Sequence, residues 1–229
     1  MPKAKKKTKT KSAKKPTRKK TQEQLDKISC GSPKVNPTQP NQVSLQANNQ
    51  FCSILHATFF DSKQCDAITN QAVEELWMSG ETIGGGVNKK VRHVEQQVLP
   101  INDKGWPLTR ILELAKQANN ARYKFDMAGF LDVDAPMLMR YEKGGHYDWH
   151  VDTGNAVCHR KLSFTIQLSD SKDYEGGDIE FIGSKVDAKA FRQKGVCIIY
   201  PSFLPHRITK VTKGVRHAIV GWIHGPTFK

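Results

Sequence analysis

The sequence predicts an α+β fold that is mainly β: a sandwich or jelly roll with helices packed outside it. Apolar residues recur at helical spacing in two stretches between Phe51 and Ala121. Beyond Tyr123, apolar and polar residues alternate in short segments that glycine, proline and acidic turns separate. Many short strands that follow two helices are typical of a sandwich or jelly roll.

The two helical stretches come first along the folded region. Asp61 or Ser62 can cap a helix over residues 61–76. A second helix is predicted from Pro107 to Ala121. The apolar residues at helical spacing are Cys65, Ile68, Val73 and Leu76 in the first helix, and Leu108, Ile111, Leu112 and Ala115 in the second. We expect both stripes to face the core.

Strands are predicted to dominate from residue 124 to the end of the chain. Each segment has the length and two-residue period of a strand, and turn residues bound it. The segments are KFDMAGFLDVDAPMLMRYEKGG (124–145), RKLSFTIQLS (160–169), GGDIEFIG (176–183), GVCIIYPS (195–202), HRITKV (206–211) and RHAIVGWIHG (216–225).

The positive charge is concentrated at one end of the chain. Of the 36 Lys and Arg residues, eleven lie in residues 1–20, which hold no acidic residue; the other 25 nearly balance the 22 Asp and Glu residues. A charged, apolar-poor segment cannot bury enough surface to fold, so residues 1–20 are predicted to be a disordered basic tail. Such a tail either binds a polyanion, for example nucleic acid, or only aids solubility.

Residues 21–50 are predicted to be a polar linker, since they lack periodicity and include PKVNPTQPNQ. One folded domain, 51–229, is expected to follow.

No apolar stretch resembles a signal peptide or a membrane span, which favours a soluble cytoplasmic protein without membrane contact. The five cysteines, an odd number with no Cys-x-x-Cys pair, indicate free thiols and argue against a disulfide framework or a thiolate zinc site. Oligomeric state has no signature in the sequence.

A candidate ligand pair lies in the segment YEKGGHYDWHVD, residues 141–152. In an extended strand, side chains two residues apart project from one face, about 7 Å apart along the strand. His150 and Asp152 have that spacing. Taken alone, a His-x-Asp pair is more often an exposed strand edge, so other residues must support a metal site.

His206 is the candidate third ligand, because it follows the apolar strand GVCIIYPS at a turn that could bring it to the same face. Two histidines and one carboxylate leave three coordination positions open, as in non-haem Fe(II) oxygenases. Zinc hydrolases also use three protein ligands, so the triad does not by itself identify the metal.

Arg216 favours the oxygenase over the hydrolase. It lies ten residues beyond His206, about one strand and turn away. A permanently charged, fork-shaped guanidinium suits a bidentate pairing with a carboxylate, such as the far end of 2-oxoglutarate. Zinc hydrolysis offers no such role for an arginine.

Several motifs together resemble one enzyme superfamily. They are Y-x-x-G-x-x-Y-x-x-H-x-D, S-x-T-x-x-L, Y-x-G-G, YPS-x-x-x-H and VTKG-x-R, and they lie within a matching segment that runs from about Met137 to Pro226. The segment resembles the iron- and 2-oxoglutarate-dependent dioxygenases, specifically their prolyl 4-hydroxylase-like branch and the PKHD-type hydroxylases. The resemblance implies a double-stranded β-helix, the cupin-like jelly roll, with Fe(II), 2-oxoglutarate and O2 as cofactors, and it suggests ascorbate as a further one.

The resemblance also implies roles for individual residues. His150, Asp152 and His206 would hold iron, and Arg216 would bind the distal carboxylate of 2-oxoglutarate. Gln167 stands where some relatives have an aromatic residue, and Arg216 stands where the collagen-type enzymes have lysine. The other implied roles are a hydrogen bond to the cosubstrate from Tyr141, pocket lining by Gln167 and Ile179, and an iron-side wall formed by Tyr147 and Trp149.

The resemblance implies hydroxylation of a substrate with release of succinate and CO2, and a prolyl residue in a protein or peptide is the favoured target. Nucleic acid, suggested by the basic tail, or a small molecule remains an alternative. The Arg-x5-Arg pattern of nucleic-acid demethylases is absent, since Trp222 stands at the second position. Two further alternatives are a catalytically silent jelly-roll binding module and a cupin-like zinc or manganese enzyme.

Overall fold

The structure, a computed structural model, describes residues 46–47, 54–82, 85–102, 105–184 and 186–228. The predicted basic tail, 1–20, and most of the predicted linker, 21–50, lie outside the described residues. Within that linker, Gln46–Ala47 forms a strand in which Gln46 lies opposite His56. Sheet pairing therefore begins before Phe51.

The described residues form mainly short strands, with α-helices between them. The helices are α1 (Ser62–Thr69), α2 (Leu108–Ala118) and α3 (Ala188–Phe191). The strands are β1 (Gln46–Ala47), β2 (Leu55–Thr58), β3 (Met78–Ser79), β4 (Arg92–His93), β5 (Glu95–Val98), β6 (Met137–Tyr141), β7 (His146–His150), β8 (Arg160–Gln167), β9 (Tyr174–Glu175), β10 (Ile179–Phe181), β11 (Val196–Pro201), β12 (His206–Ile208), β13 (Lys213–Gly214) and β14 (Arg216–His224).

The strands assemble into two main sheets with antiparallel pairing. An eight-stranded sheet has the order β1-β2-β11-β8-β14-β6-β5-β3, and a four-stranded sheet has the order β10-β12-β7-β4. Strands β9 and β13 form a separate pair. Because β7 lies in the small sheet while β6 and β8 lie in the large one, the chain crosses between sheets on both sides of His150.

Two apolar cores separate three layers. One core lies between the helices and the outer face of the large sheet, and it includes Ile68 of α1, Ile111 of α2 and Phe164 of β8. The other lies between the two sheets, where Met139 of β6 meets Ile208 of β12. The mainly β sandwich with helices outside it, predicted from the sequence, is confirmed.

The first helix is shorter than predicted. Asp61 caps it through a capping box with Gln64, but α1 ends at Thr69, not at residue 76. The side-chain amide of buried Gln97 pairs with the backbone of Val73: Val73 N donates to Oε1 (3.1 Å), and Nε2 donates to the Val73 carbonyl (3.4 Å). This long-range pairing holds Val73 in an extended conformation that the local sequence does not encode.

The second helix also ends before its predicted limit. Helix α2 stops at Ala118, and Asn119–Tyr123 forms a π-helical turn. The Asn119 side chain exchanges two hydrogen bonds of 2.9 Å with the backbone of Phe125, which turns the chain away from the helix axis.

Of the predicted segment 124–145, residues from Met137 to Tyr141 form β6, whereas Asp132–Asp134 is a 3₁₀ turn. None of the helices in the described part of the chain has the length and apolar character that crossing a bilayer requires.

Candidate active site

Three side chains converge at one end of the small sheet. His150 is the last residue of β7 and His206 the first residue of β12, and the antiparallel register places them opposite each other. Asp152 follows two residues after His150, and its backbone N–H donates to the Ser202 carbonyl at 2.9 Å. The loop that carries Asp152 is therefore tied to the turn that precedes His206.

The convergent atoms have the arrangement of a metal site. Nε2 of His150 lies 3.5 Å from Oδ1 of Asp152, and Nε2 of His206 lies 3.5 Å from Oδ2. One ligand atom from each of the three side chains falls within 4.8 Å of the others. Nδ1 of His150 faces the Asp148 carbonyl at 2.8 Å, and Nδ1 of His206 faces the Leu204 carbonyl at 2.9 Å.

These carbonyl contacts determine the tautomers of the two histidines. A carbonyl only accepts hydrogen bonds, so each Nδ1 carries the proton and each Nε2 keeps its lone pair. This orientation by an outer partner is usual for metal-binding histidines. Burial lowers the pKa of His206, although Asp152 opposes the shift, so the ring is neutral as a ligand must be.

Asp152 stays ionised although it is buried. Burial would raise its pKa, but neighbouring His206 and His150 and the Ser163 hydroxyl together hold the pKa well below its usual value. Ser163 Oγ donates to Oδ2 of Asp152 at 2.7 Å and lies 3.0 Å from the Ser202 hydroxyl. The site therefore presents one carboxylate anion beside two imidazoles.

A cavity of about 240 Å³ opens onto the three side chains. The predicted wall residue Tyr147 lines it, with its ring stacked on His150 at 3.5 Å between centroids and an interplanar angle of 14°. Trp149, predicted to share that wall, lies elsewhere: its side chain is 40% exposed and Arg207 covers its ring at 4.7 Å. The pairing of β7 with β12 shifts register here, since His206 lies opposite His150 whereas Ile208 lies opposite Tyr147. Trp149 falls within this irregular stretch and is not part of the described cavity lining.

Arg216, the first residue of β14, is buried next to this cavity. It pairs in register with Tyr141, and its guanidinium carbon lies 5.1 Å from the centre of the Tyr141 ring. Neither Nε nor Nη1 of Arg216 has a hydrogen-bond partner among the described residues, although Arg216 is only 2% exposed. Because an unpaired buried guanidinium is costly, an acceptor from a ligand or from water would stabilise this one.

Tyr141 connects the two parts of the site. It is 2% exposed and lines the cavity. Burial raises the pKa of its hydroxyl, and the Arg216 charge opposes that shift. Gln167 and Ile179, the other predicted pocket residues, are buried but do not belong to the described lining of the cavity. Gln167 Nε2 donates to the Tyr174 hydroxyl, and Ile179 packs in the core between the sheets.

Several residues in or beside the cavity had no predicted role. Ser163 and Thr165 alternate with apolar residues in β8, a pattern that could have indicated a polar face directed at the site. Tyr200 lies in the YPS motif, but nothing in the sequence gives its side chain a partner. The cavity lining also includes Arg92, Arg160 and Trp222.

A second cluster of potential ligands, formed by Asp134, His159 and His224, lies close to Arg160. Nε and Nη2 of Arg160 donate to the two Asp134 oxygens at 2.6 Å each. His224 Nε2 lies 2.9 Å from Oδ2 of Asp134. With both carboxylate oxygens paired to a guanidinium, this cluster is a buried ion pair and not a cation site.

Comparison with known proteins identifies the family. The sequence pattern of the 2OG-Fe(II) oxygenase superfamily matches residues 136–224, which contain the triad and Arg216. A PKHD-type hydroxylase of Synechococcus sp. strain CC9902 is 33% identical over 159 residues, which cover 68% of each chain. The chain belongs to the 2OG-Fe(II) oxygenases and, within them, to the PKHD-type hydroxylases. It is an iron- and 2-oxoglutarate-dependent oxygenase, and Fe(II), 2-oxoglutarate and O2 are its cofactors.

Solved structures confirm the jelly-roll fold of this oxygenase. A prolyl-4-hydroxylase of Pseudomonas putida superposes with a TM-score of 0.57 at 14% identity and covers 89% of this chain and 98% of its own. A Trichoplax adhaerens prolyl hydroxylase, solved with a peptide of the hypoxia-inducible factor, has a TM-score of 0.54 at 13% identity, with 90% of each chain covered.

The residues present fit these cofactors. Two imidazole nitrogens and a carboxylate oxygen are the donor set that non-haem Fe(II) enzymes use. The unpaired Arg216 guanidinium offers a carboxylate two donors at a buried position. The described residues of this PKHD-type hydroxylase therefore include a donor set suited to a metal and, beside Tyr141, a buried guanidinium suited to an anion.

Proposed function

We propose that this oxygenase hydroxylates a prolyl residue of a protein or peptide and releases succinate and CO2. The observation that carries the proposal is the His150, Asp152 and His206 cluster beside the unpaired, buried guanidinium of Arg216. The prolyl target is supported by the likeness to prolyl hydroxylases, one of which holds a peptide in its structure.

In this proposal, Nε2 of His150, Nε2 of His206 and a carboxylate oxygen of Asp152 hold Fe(II). The outer contacts to Asp148 and Leu204 keep both rings oriented before the metal arrives. Preorganisation of this kind reduces the ordering that metal binding would otherwise require.

Arg216 is proposed to bind the distal carboxylate of 2-oxoglutarate through Nε and Nη1. Tyr141 adds a hydroxyl that burial keeps protonated and able to donate. Ile179 contributes apolar surface from the neighbouring core. Gln167 supports this region through Tyr174, and its amide would reach the cosubstrate only by giving up that bond.

The substrate is proposed to enter on the side of the cavity where Arg160 and Trp222 lie. The Arg160 guanidinium carbon sits 3.4 Å from the centre of the Trp222 ring. Trp222 Nε1 is buried without a partner among the described residues, so it can donate to a substrate carbonyl. Ala156 and Val157 add apolar lining suited to a pyrrolidine ring.

Bound iron with 2-oxoglutarate and O2 supplies the oxidation: one oxygen atom goes to the substrate C–H bond, and the other goes to the succinate formed when CO2 leaves. The chain's own residues position the reactants and limit water. Tyr147 covers one side of His150, and the guanidinium carbon of Arg92 lies over the Tyr147 ring, 4.8 Å from its centre. These contacts hold the cavity wall rigid beside the metal ligands.

The test combines the full-length protein, Fe(II), 2-oxoglutarate and a library of proline-containing peptides. We expect peptide-dependent succinate and a peptide mass increase of one oxygen atom on proline. Asp152→Ala should abolish both products. Asp148→Ala is the matched control, because it keeps the backbone carbonyl that orients His150. Equal turnover by Asp152→Ala and the wild type would contradict the proposed metal site.

The same assay separates the substrate classes. If no prolyl peptide supports succinate formation but an oligonucleotide or small molecule does, the prolyl assignment is contradicted and the oxygenase assignment stands. Removing residues 1–20 in a parallel sample shows whether the basic segment affects any activity found with an oligonucleotide.

A further inference from the structure

Tyr200 places a buried hydroxyl among the metal-binding side chains. It lies in β11, is 1% exposed and lines the cavity. Its hydroxyl oxygen is 3.0 Å from Nε2 of His206. Phe181 packs edge-to-face on the Tyr200 ring at 4.9 Å, which restricts the ring to this orientation. The role proposed above for His206 leaves this hydroxyl unused.

The direction of the hydrogen bond follows from the other nitrogen of His206. Nδ1 donates to the Leu204 carbonyl, so the neutral ring has only an acceptor at Nε2. Tyr200 therefore donates its proton to the lone pair that a metal would use. Once Nε2 binds iron, that lone pair is occupied and the hydroxyl needs another acceptor, because burial makes an unpaired donor costly.

We propose that Tyr200 is a cosubstrate-binding residue whose hydroxyl donates a hydrogen bond to an oxygen at the metal-chelating end of 2-oxoglutarate. The inference rests on the proposed metal site. Among the described side chains, Asp152 Oδ2 already accepts from Ser163. Thr165 also interacts with the Tyr200 hydroxyl and is the competing partner. An anionic oxygen next to the metal is the stronger acceptor of the two.

If Tyr200 has this role, its removal should affect the affinity for 2-oxoglutarate and the affinity for Fe(II) differently. Tyr200→Phe keeps the ring but removes the donor that competes for Nε2, so the affinity for Fe(II) alone should not fall. The affinity for 2-oxoglutarate should fall about tenfold or more, as expected when a hydrogen bond to a charged group is lost. A purely structural role would weaken both together.

The experiment is an anaerobic titration of the full-length protein, first with Fe(II) and then with 2-oxoglutarate, followed by the visible charge-transfer band of the chelate. The variants are Tyr200→Phe, Thr165→Val and Tyr123→Phe. Tyr123 is the matched control, because its hydroxyl donates to the Ile199 carbonyl away from the triad. We expect only Tyr200→Phe to raise the 2-oxoglutarate Kd and to shift the band maximum.

Three results would overturn the inference: a 2-oxoglutarate Kd within twofold of wild type in Tyr200→Phe, a parallel loss of Fe(II) affinity in that variant, or an equal loss in Thr165→Val. The last result would show that Tyr200 acts through Thr165. A wild-type protein that gives no band contradicts the proposed function itself, whereas a normal wild-type band with an unchanged Tyr200→Phe contradicts this inference alone.

Discussion

Arg160 and Asp134 form a bidentate ion pair at the edge of the cavity, with two N–O distances of 2.6 Å. The same guanidinium covers the Trp222 ring, and its Nη1 donates to the Asp152 carbonyl at 3.2 Å. The side chains of Arg160 and Asp134 are 11% and 16% exposed, respectively. The pair therefore connects the turn before β6 with the loop that carries a metal ligand.

Asp134→Ala should destabilise the fold and weaken the metal site. Removing one member of a largely buried ion pair typically costs about 3 kcal/mol, because the other charge loses its partner. We expect the free energy of unfolding in urea to fall by about that amount and the Fe(II) Kd to rise. Glu113→Ala, which breaks an ion pair whose side chains are 51% and 55% exposed, is the control and should change stability by under about 1 kcal/mol.

Gly177→Ala should weaken 2-oxoglutarate binding through Arg216. A Cβ at position 177 would lie 2.9 Å from Arg216 Cδ and 2.9 Å from Val211 Cγ2, and φ is +66°. Both the contact and the left-handed backbone oppose a side chain there. The 2-oxoglutarate KM should rise by at least tenfold. Gly183→Ala has a similar φ, +73°, with nothing within 4 Å of the added Cβ, so it controls for backbone strain alone.

Arg216→Ala should raise the 2-oxoglutarate requirement far more than it alters metal binding. The variant removes both donors proposed for the distal carboxylate, an interaction worth about 3 kcal/mol when charged and buried, or roughly a hundredfold in Kd. Arg216→Lys should recover part of the affinity, since lysine keeps the charge but not the fork. An unchanged 2-oxoglutarate requirement in Arg216→Ala would show that the carboxylate binds elsewhere.

His217 should make the fold less stable in mild acid. Burial lowers its pKa from 6.5 to about 4, with smaller contributions from the charges of Arg140 and Arg216. Between those values the unfolded chain binds a proton that the folded chain does not. Stability is therefore full above about pH 6.5 and is lost as the pH falls towards 4, by up to about 3 kcal/mol.

Urea unfolding at pH 7.5 and 5.0 tests this linkage. His217→Gln should lose less stability between the two pH values than the wild type, by about 2 kcal/mol. Identical losses in the two proteins would show that other groups are responsible for the acid sensitivity.

The parts of the site that follow strand periodicity could be predicted from the sequence. The spacing of His150 and Asp152, and the position of His206 after an apolar strand, predicted three side chains that the structure brings together. Strict alternation would place Tyr147 and Trp149 on the same face, yet Tyr147 lines the cavity and Trp149 does not. The register irregularity between β7 and β12 separates the two residues, and no sequence pattern indicated it.

The features that the sequence did not predict depend on contacts between distant residues. Helix α1 ends early because the side-chain amide of Gln97, in β5, pairs with the backbone of Val73. Tyr200 meets His206 only through the turn between β11 and β12, and Asp134 meets Arg160 across 26 residues of chain. Neither relationship leaves a periodic pattern in the sequence. The capping box at Asp61, by contrast, joins residues three apart, and the start of helix α1 was predicted correctly.

The most direct test of the central claim is anaerobic addition of Fe(II) and then 2-oxoglutarate to the purified protein. We predict a weak visible charge-transfer band in the wild type and its loss in His150→Ala. His146→Ala is the control: its ring contacts the Gly144 and Lys90 carbonyls, outside the triad, so the band should persist. A wild-type protein that binds iron without developing the band, or a band that survives in His150→Ala, would contradict the assignment of this site.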